Sequence, residues 1–377
     1  MNPANEQELS EIIANARDPL RIQGGGTRPI GVTAAKAVLG TRGLTGVRLY
    51  EPGALTLVAG AGTPLAEVEA LLAQHGQRLA FEPMDHRTLL GTGGVPTIGG
   101  MVAANVSGPR RVQVGACRDF LLGVRFVDGC GKVVKNGGRV MKNVTGYDLV
   151  KLMAGSFGTL GVLSEVSLKV LPTSEACAVL LVSGLGVPAA IGAMSQALAS
   201  PFEVSGAAHV PGGFHGEPLT MIRVEGFAKS VAYRAEKLRD RLREFGEINI
   251  EAAPERTAAD WQWVRDVAGF AGKDGDVWRV SLKPSDAPRA AERLAGEKAE
   301  LLFDWGGGLI WVRLRPGTDL RSLLVGIPGH ARLERAGGTT MPGTGVFAAR
   351  SPMLDRISRG LRDKFDPRNI LNPGLMG

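Results

Sequence analysis

Residues 21–28 read RIQGGGTR, residues 97–111 read TIGGMVAANVSGPRR, and residues 155–162 read GSFGTLGV. The order of these glycine clusters along the chain decides the fold. Residues 20–23 have the character of a short strand that runs straight into Gly24, Gly25 and Gly26. Successive glycines let backbone N–H groups converge on a phosphate with no side chain in the way. Thr27 adds a hydroxyl and Arg28 a positive charge. A triple glycine alone also occurs in plain turns. A second cluster, Gly60-Ala61-Gly62-Thr63-Pro64-Leu65, follows a strand and precedes a helix, as a Rossmann turn does. Its sixth residue is Leu, which would push the helix off the strand. Gly91 to Pro96 departs from the fingerprint likewise, and no GxxxxGK[ST] loop is present. In the third cluster, glycines three apart leave backbone exposed against something flat or polar. Taken alone, that cluster is a tight turn between elements.

Working outward, residues 5–17 read as a helix capped by Asn5, and residues 37–39, 47–50 and 55–59 as short strands. Residues 64–74 read as a helix, and 91–108 as a loop feeding a short helix. Residues 121–127 and 132–134 pair around Asp128-Gly129 as a hairpin. Residues 144–154 read as helical, and 159–170 as a strand pair or one long bent strand. Glycine motifs then thin out. Strands at 177–183, 203–210, 219–226, 247–252, 277–282, 300–304 and 308–314 alternate with helices at 187–199, 228–245, 255–269 and 285–296. A helix at 353–364 and the tail FDPRNILNPG (365–374) close the chain. The expected class is α+β. The expected units are residues 1–172, an α+β cap at 173–335, and a tail at 336–377 that packs back on the first unit.

The chain has 377 residues, 44% hydrophobic and 21% charged, an ordinary globular composition. Fifty-three glycines are about twice the usual share, which places many of them at turns or close approaches. The net charge is +7, without a block of like charges and with few aromatics. A nucleic-acid partner is therefore not expected. Cysteines stand only at 117, 130 and 177, with no CxxC, so this chain alone holds neither an iron–sulfur cluster nor a four-cysteine zinc site. All three read as buried thiols in a reducing compartment. No signal peptide is expected from the opening residues, and the uncharged stretch 176–202 is expected to be broken by Gly and Pro into a strand, a turn and a helix.

Taken in order, RIQGGGTR (21–28), YEPGALTLVAGAGTPLAEVEALL (50–72), TIGGMVAANVSGPRR (97–111), residues 115–172 and FDPRNILNPG (365–374) resemble the vanillyl-alcohol-oxidase type of flavoprotein. That family shares its FAD-binding domain with p-cresol methylhydroxylase. Within it, KNVTGYDL (142–149) and the short length are most similar to the smaller, FAD-binding subunits of bacterial glycolate oxidases. The resemblance implies a two-subdomain FAD cradle without a Rossmann fold. It implies that Gly24, Gly25, Gly26, Thr27 and Arg28 embrace the pyrophosphate. Gly99, Gly100, Ala103 and Asn105 would line the flavin side. Gly158, Thr159, Gly161 and Val162 would lie along the dinucleotide, and Asn372 would return toward the flavin. No His adjoins the first loop, so the expected FAD is noncovalent. His86, near the second loop, reads as a surface histidine.

Related D-2-hydroxy-acid dehydrogenases carry in the cap an H-x-G-D-G-N-x-H type of motif with metal-binding histidines. Here only His209 and His215 are close, and the Gly-Asp-Gly-Asn core is missing. Both read as loop histidines, and no metal site is expected. Trp261, Trp263, Trp305 and Trp311 read as core, Arg279, Arg313 and Arg315 as surface arginines, and Asp304 has no assigned role. Catalytic residues are thus not recognisable. The resemblance implies an FAD-binding subunit that works beside a larger FAD-containing catalytic glycolate oxidase subunit and an iron–sulfur subunit. It would take part in oxidising glycolate to glyoxylate. The expected location is the cytoplasm, with the complex as the route to the inner-membrane surface. A stand-alone FAD-dependent D-2-hydroxy-acid dehydrogenase and a flavin-free structural subunit are the alternatives.

Overall fold

The computed structural model describes residues 1–31, 33–139, 146–214, 216–338 and 345–376. Helix Glu6–Asn15 begins where the Asn5 side chain accepts the Glu8 N–H, and it buries Leu9 and Ile13. Strand Leu20–Gln23 pairs in parallel with Ala37–Gly40. A five-stranded antiparallel sheet follows, in the order Val47–Glu51, Thr56–Gly60, Val162–Lys169, Leu121–Val127, Val133–Gly137. The long strand Val162–Lys169 is single and central. Its apolar residues and those of Thr56–Gly60 pack on helix Leu65–Gln74 around Leu57, Val68, Phe126 and Leu168.

An eight-stranded antiparallel sheet occupies residues 176–335. Its order is Ile248–Glu251, Ala176–Ser183, Leu219–Gly226, Val204–Val210, Glu300–Asp304, Leu309–Leu314, Asp276–Leu282, Gly329–Arg335. Helices Val187–Leu198, Ala228–Leu242 and Ala287–Leu294 cover one face and bury Met194, Leu238 and Leu294 against Leu180, Ile222 and Ile310. Chain order and spatial order differ, so this sheet is a set of hairpins and crossovers, and its second face is apolar too, with Trp261 and Val264 of helix Pro254–Arg265 against Val179, Ala208 and Met221. Its last strand, Gly329–Arg335, was not among the expected elements.

Other expectations need correction. Helix Leu149–Met153 is shorter than residues 144–154, and residues 144–145 lie outside the described ones. Leu55 is not in a strand. It sits at φ +51 and closes a short turn ahead of Thr56. Cys117 is buried and Cys177 half-buried, but Cys130 is exposed at the hairpin turn after Asp128.

The eight-stranded sheet meets the N-terminal part of the chain across a buried ionic cluster. Arg223 rises from strand Leu219–Gly226 and donates to Glu82 at 3.0 and 3.2 Å. Its Nε stands 3.3 Å from Glu225, and its guanidinium lies over the Trp261 ring, 4.2 Å from the centroid. Arg110 donates twice to Glu225 at 2.9 Å, and Arg78 once at 2.9 Å. The Arg223 side chain is only 2% exposed. Burial raises the cost of ionising Glu82 and Glu225, but the arginines outweigh it and hold both carboxyls below their usual range.

Removing one partner would strand buried charges. Arg223→Ala is expected to lower the unfolding free energy by roughly 3–5 kcal/mol. The exposed pair made by Arg256 is expected to cost far less on Arg256→Ala. Chemical denaturation of both variants checks this. Because the folded-state carboxyls titrate below their unfolded value of about 4.3, the cluster's stabilisation is complete above that pH. It is lost as pH falls toward the depressed values. A denaturation series from pH 7 to pH 3 should show that loss, and a shallower slope in Arg223→Ala.

Candidate functional site

Two adjoining cavities lie at the glycine loops, and the second also reaches the eight-stranded sheet. The first, about 310 Å³, has a wall rich in glycine. Gly24, Gly25, Gly26, Thr27, Arg28, Gly99, Gly100, Ala103, Gly158, Gly161, Val162 and Asn372 all line it. Asn105 lines the second cavity instead. Thr159 lines neither: it is buried, and its hydroxyl donates to the Ser156 carbonyl at 2.7 Å, bracing the turn from behind.

The loop geometry follows from the residue types. A Cβ on Gly25 would overlap the Val95 carbonyl, so only glycine lets the loop lie against Val95-Pro96. The Val95 N–H in turn donates to the Gly25 carbonyl at 3.2 Å. Gly26 holds φ +74, which a side chain would disfavour. The Gly25 carbonyl is thereby occupied, and the Thr27 carbonyl accepts the Thr92 hydroxyl at 2.7 Å. Among the described residues, the backbone N–H groups of Gly24, Gly25, Gly26, Thr27 and Arg28 have no hydrogen-bond acceptor. A run of unpaired donors on a cavity wall suits an anion.

Asn372 clasps the cradle from the C-terminal tail. Its side-chain oxygen accepts the Ile22 N–H at 2.8 Å, and its amide donates to the Phe157 carbonyl at 2.8 Å. Its own N–H donates to the Leu20 carbonyl at 3.0 Å, and it adopts φ +46. One residue thereby joins the strand before the first glycine loop to the turn before Gly158.

The second cavity, about 360 Å³, is walled by charge. Strand pairing sets Arg279 directly opposite Trp311 on one side and Arg332 on the other. Side chains alternate along a strand, so His330, Arg332 and Glu334 share that face. Arg28 donates to Glu334 at 2.7 Å, and Arg332 does so at 2.6 Å. Burial opposes the Glu334 charge, but Arg28 and Arg332 hold its carboxyl well below the usual range. Arg28 is therefore committed to an acid and stands at the junction of the two cavities.

His86 is not a surface histidine. It is 8% exposed and lines both cavities. Burial, with Arg28 next, lowers its pKa to about 3, so it is neutral at physiological pH. Arg279 is not a surface residue either. It lines the second cavity, and burial with Arg332 lowers its pKa to about 9, which leaves it charged. Arg313 pairs with Glu300, and Arg315 lies exposed beside Glu297.

Trp261 and Trp311 are core, as expected, and Trp311 also lines the second cavity. Trp305 borders it through its neighbours: the guanidiniums of Arg111 and Arg279 lie 4.5 and 5.0 Å from its ring centroid. The indole N–H donates to the Gly108 carbonyl at 3.0 Å, and Asp304 accepts the Trp305 backbone N–H at 2.7 Å. Burial raises the Asp304 carboxyl to about 7.

His209 is a strand residue and not a loop residue. It is fully buried, hydrogen-bonds Thr220 at 3.0 Å, and burial lowers its pKa to about 4. His215 lies outside the described residues. Among the described residues no three His, Cys, Asp or Glu side chains converge as a metal site would require.

The missed residues had one readable signal. In GHARLER (329–335), His330, Arg332 and Glu334 alternate with Ala331 and Leu333, which is the period of a strand with one polar face.

Comparison with known proteins agrees with this geometry. A family described as an FAD binding domain matches residues 1–137. The chain is 35% identical to glycolate oxidase subunit GlcE of Escherichia coli (strain K12), over 98% of this chain and 95% of that protein. It is 29% identical to glycolate oxidase subunit GlcD of Bacillus subtilis (strain 168), over 99% of this chain and 87% of that protein. A solved alkyldihydroxyacetonephosphate synthase superposes with a TM-score of 0.69 at 16% identity, covering 99% of this chain and 76% of the other, a likeness of fold alone. Among the described residues no helix is long and apolar enough to cross a membrane. The run of free N–H donors in the first cavity fits the pyrophosphate of FAD. The chain belongs to the glycolate oxidase subunit GlcE family of FAD-linked oxidoreductases, built on the p-cresol-methylhydroxylase type of FAD-binding fold.

Proposed function

We propose that this chain is the FAD-binding subunit of a glycolate oxidase complex that converts glycolate to glyoxylate. The observation that carries the reading is the unpaired N–H run from Gly24 to Arg28 on the wall of the first cavity. In this reading residues 1–172 form the FAD-binding unit, residues 173–335 the cap, and residues 336–377 the tail that closes on the cradle.

FAD, when bound, supplies the acceptor for the substrate's α-hydrogen. The chain's own residues do the rest. The N–H groups of Gly24 to Arg28 hold the pyrophosphate. Gly99, Gly100 and Ala103 line the flavin side. Gly158, Gly161 and Val162 lie along the dinucleotide, and Thr159 braces that turn. Asn372 keeps the two loops at a fixed separation. Neutral His86, at the junction of the cavities, is a hydrogen-bonding group toward the ring system. The relatives' names, GlcE and GlcD, support a multi-subunit assembly. In it, a larger FAD-containing subunit is the catalytic partner. Electrons pass to an iron–sulfur subunit, since this chain has three cysteines and no CxxC.

Thr27 and not His follows the glycines, so the flavin is held noncovalently. Acid precipitation of the purified chain should release all the flavin into the supernatant. Flavin retained in the pellet would mean a covalent link and would direct attention to His86. Gly25→Ala forces the first loop off Val95 and should lower the flavin content of the purified chain several-fold while thermal unfolding of the remainder stays cooperative. In the co-purified complex the same variant should reduce glycolate-dependent dye reduction. A complex that keeps full flavin content and full rate with Gly25→Ala would contradict the assignment.

A further inference from the structure

The second cavity contains more positive charge than its acid can balance. Glu334 is its single acidic neighbour among the ion pairs that reach it, and Arg28 and Arg332 share that carboxylate. Arg111 and Arg279 are left over. Among the described residues neither side chain has a hydrogen-bond acceptor or an ion-pair partner, although both line the cavity and both are only partly exposed. The two come from different parts of the chain. Arg111 follows the second glycine segment, and Arg279 projects from the eight-stranded sheet.

Trp305 holds them together. Both guanidiniums lie over its ring, and the ring is fixed by its own N–H on Gly108. A cation stacked on an indole keeps its planar face occupied and its N–H edge free to donate. Two such edges at one cavity match a planar carboxylate, which accepts paired N–H bonds. The cavity adjoins the cradle through Arg28, His86 and Phe157, so a ligand here would lie beside whatever the cradle holds.

We propose that Arg111 and Arg279, positioned by Trp305, form a binding site for a small carboxylate in this chain itself. A subunit that only stored FAD and left substrate to a partner would have no need of it. The site rests on its own geometry and not on flavin chemistry, and the cap histidine motif of related dehydrogenases plays no part in it.

The test is calorimetric titration of the flavin-loaded full chain with glycolate, with oxalate, and with uncharged glycolamide. Glycolate and oxalate should bind saturably and glycolamide should not. Arg111→Gln and Arg279→Gln should each weaken oxalate at least about tenfold. Arg279→Lys should recover part of the loss, and Arg256→Gln, far from the cavity, should bind like the parent. Thermal midpoint and flavin content of each variant show that the fold and the cradle persist. Absence of saturable oxalate binding in the loaded parent chain would overturn the proposal, as would equal binding by both Gln variants or by glycolamide. Loaded flavin without carboxylate binding would leave the subunit reading intact. Carboxylate binding in a chain that never loads flavin would do the reverse.

Discussion

Arg223 sits between two buried carboxylates, Glu82 and Glu225, that belong to the two sides of the molecule. Arg223 is the largest of the charges that keep both acids ionised there, and a lone buried guanidinium would itself be costly. The cluster therefore has one low-energy arrangement, with Arg110 and Arg78 completing it. That arrangement fixes how the eight-stranded sheet faces the glycine loops. Everything at the cavities depends on this facing: Arg28 reaching Glu334, Trp305 reaching Gly108, and Arg279 standing across from Arg111.

The two cavities use different chemistry because their walls come from different sources. The cradle is rich in glycine, and its loop from Gly24 to Arg28 offers backbone N–H groups that have no acceptor among the described residues. Such a wall holds an extended anion without depending on side-chain charge. The neighbouring cavity is side chain, and its character is set by one face of three adjacent strands carrying Trp311, Arg279 and Arg332 in a row. A cofactor held by backbone and a small anion held by guanidiniums can thus occupy adjoining volumes without competing for the same donors. Asn372, from the last few residues, makes the cradle depend on the end of the chain as well as its beginning.

Much of this was legible in the sequence. Helix Glu6–Asn15 announces itself through Asn5, strand Leu20–Gln23 through the glycines that end it, and the hairpin through Asp128-Gly129. The cradle residues were legible because glycine is informative: few positions tolerate a backbone that close. The side-chain cavity was not. Arginine on a strand usually faces water, and nothing within the segment around Arg279 says that a second unit covers it. His86 looked like a surface residue for the same reason, since the charges that act on it, Arg28 and Glu334, are distant in sequence. Strand Gly329–Arg335 escaped because its polar face resembles a solvated loop until Arg28 and Glu334 are brought together. Side chains whose environment is made by another part of the chain have no local signature.

The most direct measurement is a crystal structure of the flavin-loaded full chain with oxalate. The account predicts the pyrophosphate within hydrogen-bond distance of the N–H groups of Gly24 to Arg28, and oxalate between Arg111 and Arg279 beside Trp305. A dinucleotide bound elsewhere, or one whose phosphates meet Arg111 and Arg279 in place of the glycine loop, would contradict it.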